Sequence, residues 1–284
     1  MSDLFKGVSP KAPRFQSASL QMKGGTGGII AICQCSNFEE VYKVDKTFHI
    51  QSPEVLDSEV TDPNMGWVVK DKDNVGCSNK IIARLMVQST EFIKFLPQSI
   101  NRELITQKLY ECKELLLICE RMSLEMASEV NVINTRINAN DLSVERNQIY
   151  NPFPQIIDLE DRVSTFLANT KRYAQTLTEF FNIIFQENVD NARFDKMRDI
   201  LKKLLGEKSY LFKFIDENEP SIKDIVNHRN RMEHPKKGEE FIISNYALLP
   251  NKIIQPPVWY INGQEPVQIV DAMRSNCKLS IRVC

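Results

Sequence analysis

The chain of 284 residues has only three histidines, no apolar run long enough to cross a membrane, and no surplus of positive charge. A spanning helix needs about 18 or more consecutive apolar residues. The opening stretch, MSDLFKGVSPKAPRF, holds no continuous apolar segment, so the pattern of a secretory signal is missing. These absences lead to the expectation of a cytoplasmic protein with no membrane partner. With a net charge of −1, any nucleic-acid-binding surface must be local, not global. The seven cysteines are odd in number and scattered, which suits thiols better than a disulfide framework. Cys33 and Cys35 fall on one face of a strand by alternation, as two small buried hydrophobes. No cysteine or histidine pair completes a four-ligand zinc set at the usual spacing, and neither metal nor cofactor is expected.

The glycine-rich stretch Gly24-Gly25-Thr26-Gly27-Gly28 lacks the Gly-Lys-Ser/Thr ending of a phosphate loop. A strand follows it where that loop requires a helix, so it reads as a turn. With 42% apolar and 26% charged residues, the chain can bury one large core or two modest ones. Its texture changes twice. Residues 1–77 hold short β-rich runs, GGIIAICQC, EEVYKVDKTFHIQ and MGWVVKDK, separated by Gly, Asn, Asp and Pro. Residues 78–237 follow a helical period, and residues 238–284 turn extended again, with Asn262-Gly263 as a hairpin signal. The expected fold is mainly α: a helical-bundle core flanked by β-rich segments at both ends.

Within the helical zone, Ser78 is placed to cap a first helix carrying Ile81, Ile82, Leu85, Met86, Phe92 and Ile93 on one side. Ile105, Leu109, Cys112, Leu116, Cys119, Ser123, Met126, Val130, Ile133 and Ile137 alternate steps of four and three. They predict one long helix whose seam packs within the chain or between two chains. After a polar break over 138–154, a second long helix carries Ile156, Leu159 and Val163 through to Phe185, and a shorter one from Phe194 ends near Gly206. The last helix is expected to start at Pro220, a favoured first-turn residue.

That last helix ends in VNHRNRMEHPKKG. Asn230 and His234 lie one turn apart, Asn227 one turn earlier and Lys223 one turn before that, so one face reads Lys, Asn, Asn, His. Arg229 stands about 140° around the helix from His234. Pro235 disfavours the α conformation at His234, so the last turn loosens there. A histidine that moves a proton near neutral pH, beside a guanidinium that holds a phosphate, suits phosphodiester cleavage. Residues 193–237 carry 12 Lys or Arg against 8 Asp or Glu, so the positive charge is local. Two plainer readings compete: Arg229 and Glu233 at i, i+4 form a surface ion pair, and His234 caps the last carbonyls.

The Arg229-Asn230-x3-His234-Pro235 pattern, at the end of the last helix of a bundle with two long helices, resembles the HEPN superfamily. The resemblance covers roughly residues 80–235. It implies a metal-independent endoribonuclease that works as a homodimer with a composite cleft, in phage defence or toxin-type growth control. An antitoxin or other regulatory partner would accompany it. Carried over, His234 is the acid/base residue, Arg229 the phosphate and transition-state contact, and Asn230 the orienting polar residue. Arg231, Lys236 and Lys237 become RNA-backbone contacts; Lys223 and Asn227 join them on helix geometry alone. The tyrosine that follows the histidine in the toxin subgroup modified by AMP transfer is replaced here by Pro235, Lys236 and Lys237, which argues against the toxin–nucleotidyltransferase pairing of that subgroup. Some members of the superfamily bind nucleotides or act as scaffolds without catalysis. A structural assembly protein unrelated to nucleic acid is the third alternative.

Overall fold

The computed structural model describes residues 21–139, 141–142, 144–145, 149–190 and 192–283. The first part of the 1–77 segment, part of the 138–154 break and Cys284 lie outside the described residues. The described chain is mainly α, with antiparallel sheet toward both ends. It forms two compact units, Met1–Lys113 and Glu114–Cys284.

The first unit opens with β1 (Ala31–Cys35), β2 (Phe38–Tyr42) and β3 (Thr47–Gln51), followed by the short helix α1 (Pro53–Leu56) and β4 (Val68–Asp73). The four strands form an antiparallel meander in chain order. The glycine stretch is a turn: Gly24, Gly25 and Gly27 have positive φ, and the Thr26 amide donates to the Asp45 carboxylate at 2.6 Å. A carboxylate thus takes the donor that a phosphate loop would offer to phosphate. Gly76 lies so close to the β2–β3 turn that a methyl would collide with the Lys43 carbonyl and the Asp45 and Lys46 amides.

Helix α2 (Lys80–Ile82) is capped by Asn79, not by Ser78, because it is the Asn79 side chain that reaches the Ile81 amide, at 2.7 Å. A π turn over Ala83–Gln88 leads into α3 (Ser89–Ile93). That turn inserts an extra residue into the helical phase. The expected apolar stripe is therefore split: Ile81, Ile82, Leu85, Met86 and Ile93 are buried, whereas Phe92 is exposed. Helix α4 (Arg102–Asn138) is the long helix the seam predicted; its seam residues from Ile105 to Val130 are buried within the chain.

Pairing across the meander sets Cys33 opposite Glu40 and Glu40 opposite His49, one row on one face. The other face buries Val41, Phe48 and Ile50 against Met22. Both Cys33 and Cys35 are buried, and burial pushes the Cys33 thiol up. Glu40 is 0% and Lys113 of α4 is 1% exposed, so the row carries a buried ion pair. Lys113 Nζ donates to both Glu40 carboxylate oxygens at 2.6 Å, and the Tyr42 hydroxyl donates to the same carboxylate. His49 Nε2 stands 3.0 Å from Glu40 Oε1, with Phe38 stacked on its ring at 4.2 Å. The Lys113 ammonium also sits 4.3 Å from the Tyr110 ring centre.

In the second unit, the hairpin β5 (Val144–Glu145) and β6 (Ile149–Tyr150) precedes α5 (Leu159–Phe185), α6 (Phe194–Leu205) and α7 (Tyr210–Glu233). Helix α7 starts ten residues before Pro220, which lies inside it on the exposed side. The buried face of α7 runs through the proline without a break, as Ile215, Glu219, Ile222 and Ile225. Packing along that face outweighs the amide lost at Pro220. The chain then forms β7 (Phe241–Ser244), β8 (Ala247–Leu248), β9 (Ile254–Gln255), β10 (Val258–Ile261) and β11 (Val267–Gln268). Strands β11-β10-β7 make one antiparallel sheet, and the Asn262-Gly263 turn joins β10 to β11 with Gly263 at φ 86.

The 238–284 segment is not extended throughout: it ends in α8 (Ile269–Val283). Its signal was a helical period, since Ile269, Met273, Cys277 and Ser280 are the buried positions. Trp259, Phe166, Val163, Met126 and Met273 share the unit's core.

Replacing Lys113 by Met leaves Glu40 buried without its ammonium, so a loss of about 3–5 kcal/mol is expected in urea unfolding. The double variant Glu40→Gln/Lys113→Met should recover part of it. Burial pushes the Glu40 carboxyl up, but His49, Lys113 and Tyr42 outweigh it and hold it below its usual 4.5. Its stabilisation is therefore full above pH 4.5 and lost as pH falls below that value.

Candidate phosphate site at the end of helix α7

Helix α7 stops where Pro235 requires it. His234 leaves the helix at φ −132°, ψ 73°, while its amide still donates to the Asn230 carbonyl at 2.8 Å. The backbone thus keeps Asn230 and His234 together, and the imidazole is exposed at the helix end. Arg229 is turned toward α5. Its Nη1 donates to Ser164 Oγ at 3.3 Å, and its Nη2 pairs with Glu233 Oε1 at 2.9 Å. The other carboxylate oxygen of Glu233 accepts from Lys171 Nζ of α5, also at 2.9 Å.

Ser164 and Lys171 are seven residues apart, two turns of α5, and therefore project in the same direction. One carboxylate is thus held by cations from two helices. The Lys171 hydrogen bond pulls the Glu233 carboxyl below its usual value, and the charges of Arg229, Lys171 and His234 add to the shift.

The remaining motif residues are spread around this end. Arg231 pairs with Glu239, and Lys223, Asn227, Lys236 and Lys237 are exposed. Among the described residues these three lysines make no ion pair. The arrangement therefore leaves His234 exposed at the helix end and brings Arg229 and Glu233 together with Ser164 and Lys171, which the motif does not mark. Their only sequence signal was a polar pair at seven-residue spacing beside the apolar stripe of α5. Such a pair is commonplace on a half-exposed helix. The Arg229–Glu233 pair at i, i+4 is formed as its spacing indicated.

His228, inside the same sequence window, has a different task. Its ring lies 5.5 Å from that of Phe241 and 6.1 Å from that of Trp259, joining α7 to the sheet of β7 and β10. Nδ1 is buried with no hydrogen-bond partner among the described residues. Burial pushes its pKa below the usual 6.5, against the opposing charge of Asp224.

No family model, curated protein or solved structure matches this chain. No described helix is long and apolar enough to cross a membrane.

Because His228 is held neutral, its contribution to stability is present above pH 6.5 and lost as pH falls below that value. His228→Phe should keep the aromatic packing and flatten the fall in thermal midpoint below pH 6.5. A profile unchanged from the parent would assign that fall to another group.

Proposed function

We propose that this chain is a metal-independent endoribonuclease of the HEPN type, acting as a homodimer on cytoplasmic RNA, with phage defence or toxin-type growth control as its setting. The observation that supports it is the convergence of Lys171 and Arg229 on one anionic group beside the exposed imidazole of His234. In the proposed reaction, His234 takes the proton of a 2′-hydroxyl, and that oxygen attacks the adjacent phosphorus. The bond to the 5′-oxygen breaks and the leaving oxygen receives a proton, giving a 2′,3′-cyclic phosphate and a 5′-hydroxyl. Arg229 balances the charge gathering on the non-bridging oxygens.

Arg229 and His234 are separated by about 140° around the helix, and Arg229 is drawn toward α5. A second copy of the helix end supplies the missing proton donor, which makes dimerisation part of the reading. Asn230 would orient the reacting groups, with Arg231, Lys236, Lys237, Lys223 and Asn227 along the RNA backbone.

The engagement of Arg229 by Glu233 and Ser164 also favours a second reading, a non-catalytic HEPN module that binds RNA or nucleotides without cleaving them. Purified protein incubated with RNA in excess EDTA separates the two. The catalytic reading expects cleavage that falls by about 10²-fold or more in His234→Ala, and a dimer by light scattering. Equal cleavage by the parent and His234→Ala would remove His234 from the chemistry. Salt-sensitive binding without cleavage, lost in Arg229→Ala, would establish the binding module.

A further inference from the structure

We infer that Lys171 and Arg229 form a two-helix clamp for a single phosphate group of a nucleic-acid backbone, and that the Glu233 carboxylate occupies this clamp until such a phosphate displaces it. The inference rests on the reading that this end of α7 handles phosphates; it does not depend on cleavage.

Three observations carry it. The carboxylate sits in the last turn of α7, where the helix dipole opposes negative charge. An anion is held at that position by the two cations that meet there, so the pair makes an anion site at an otherwise unfavourable place. Second, the two cations grip different oxygens of one carboxylate, each at 2.9 Å. A phosphodiester offers the same two-oxygen edge to a guanidinium and an ammonium. Third, Arg229 is better anchored than the anion. Its side chain is 18% exposed and tied to Ser164, and that of Lys171 is 24% exposed, whereas Glu233 is 33% exposed and can swing into solvent. The exposed Lys236 and Lys237 beside the clamp would draw a polyanion toward it.

The test uses a fluorescent single-stranded oligodeoxynucleotide, which has no 2′-hydroxyl and so reports binding apart from cleavage. Glu233→Gln should bind it about tenfold more tightly at low salt, the order expected for removing one like charge about 4 Å from the ligand near water. Adding Lys171→Met to that variant should abolish the gain, and inorganic phosphate should compete with the oligonucleotide. Glu207→Gln, which removes the same charge from the partner of Lys202, a residue outside the proposed contacts, serves as the charge control; circular dichroism checks that each variant is folded.

Unchanged or weaker binding by Glu233→Gln would overturn the clamp, as would an equal gain in Glu207→Gln or a gain that survives Lys171→Met. If the gain behaves as expected but the parent cleaves no RNA, the clamp stands and the nuclease reading falls. If RNA is cleaved while Glu233→Gln binds no better, the reverse holds.

Discussion

The pairing of Glu40 with Lys113 is the constraint around which the first unit is arranged. Neither group can be hydrated where it lies, so each depends on the other, and the carboxylate must fill its remaining positions from Tyr42 and His49. Such a pair contributes little net stability relative to apolar residues of the same size, yet breaking it is costly. Its effect is therefore on arrangement. It fixes which face of the β2–β3 hairpin meets α4, because a one-residue slip would carry Glu40 to the opposite face with Val41 and Phe48.

The second unit solves a different problem. Its core is apolar, gathered on Trp259, Phe166 and Met126, and polar side chains at its margin join one element to another. The Tyr246 hydroxyl lies 2.9 Å from Asn134 Oδ1, and the Asn245 amide bonds both the amide and the carbonyl of Ile156. These contacts tie the C-terminal strands to α4 and to the approach of α5. His228 extends the same tie from α7. The outer edge of α5 and α7 is left to a half-exposed ionic group.

How much was legible in the sequence follows from which forces act locally. The long seam of α4 and the stripe of α5 are repeated over many turns, so period alone reveals them. The strands of the meander show in their β-rich runs, and Cys33 and Cys35 in their alternation. Pro220 misled because a local steric rule was set against a buried face extending on both sides of it. Phe92 misled because a π turn changes the phase without a residue that announces it. Helix α8 was hidden by its β-like neighbours, although Ile269, Met273 and Cys277 carry a helical spacing. At the candidate site, the spacing of Arg229, Glu233 and His234 was readable along one helix. Ser164 and Lys171 belong to another helix and meet the motif only through tertiary packing, which no linear pattern records.

The uninterrupted passage of α7 through Pro220 has a further consequence. Ile222 and Ile225 settle the azimuth of the helix as it reaches Arg229, which lies only four residues beyond Ile225, about 6 Å along the axis. The aim of the guanidinium is thus inherited from apolar residues that have no chemical role. A change of shape at either isoleucine would re-aim the arginine away from Ser164 while leaving every letter of the motif intact.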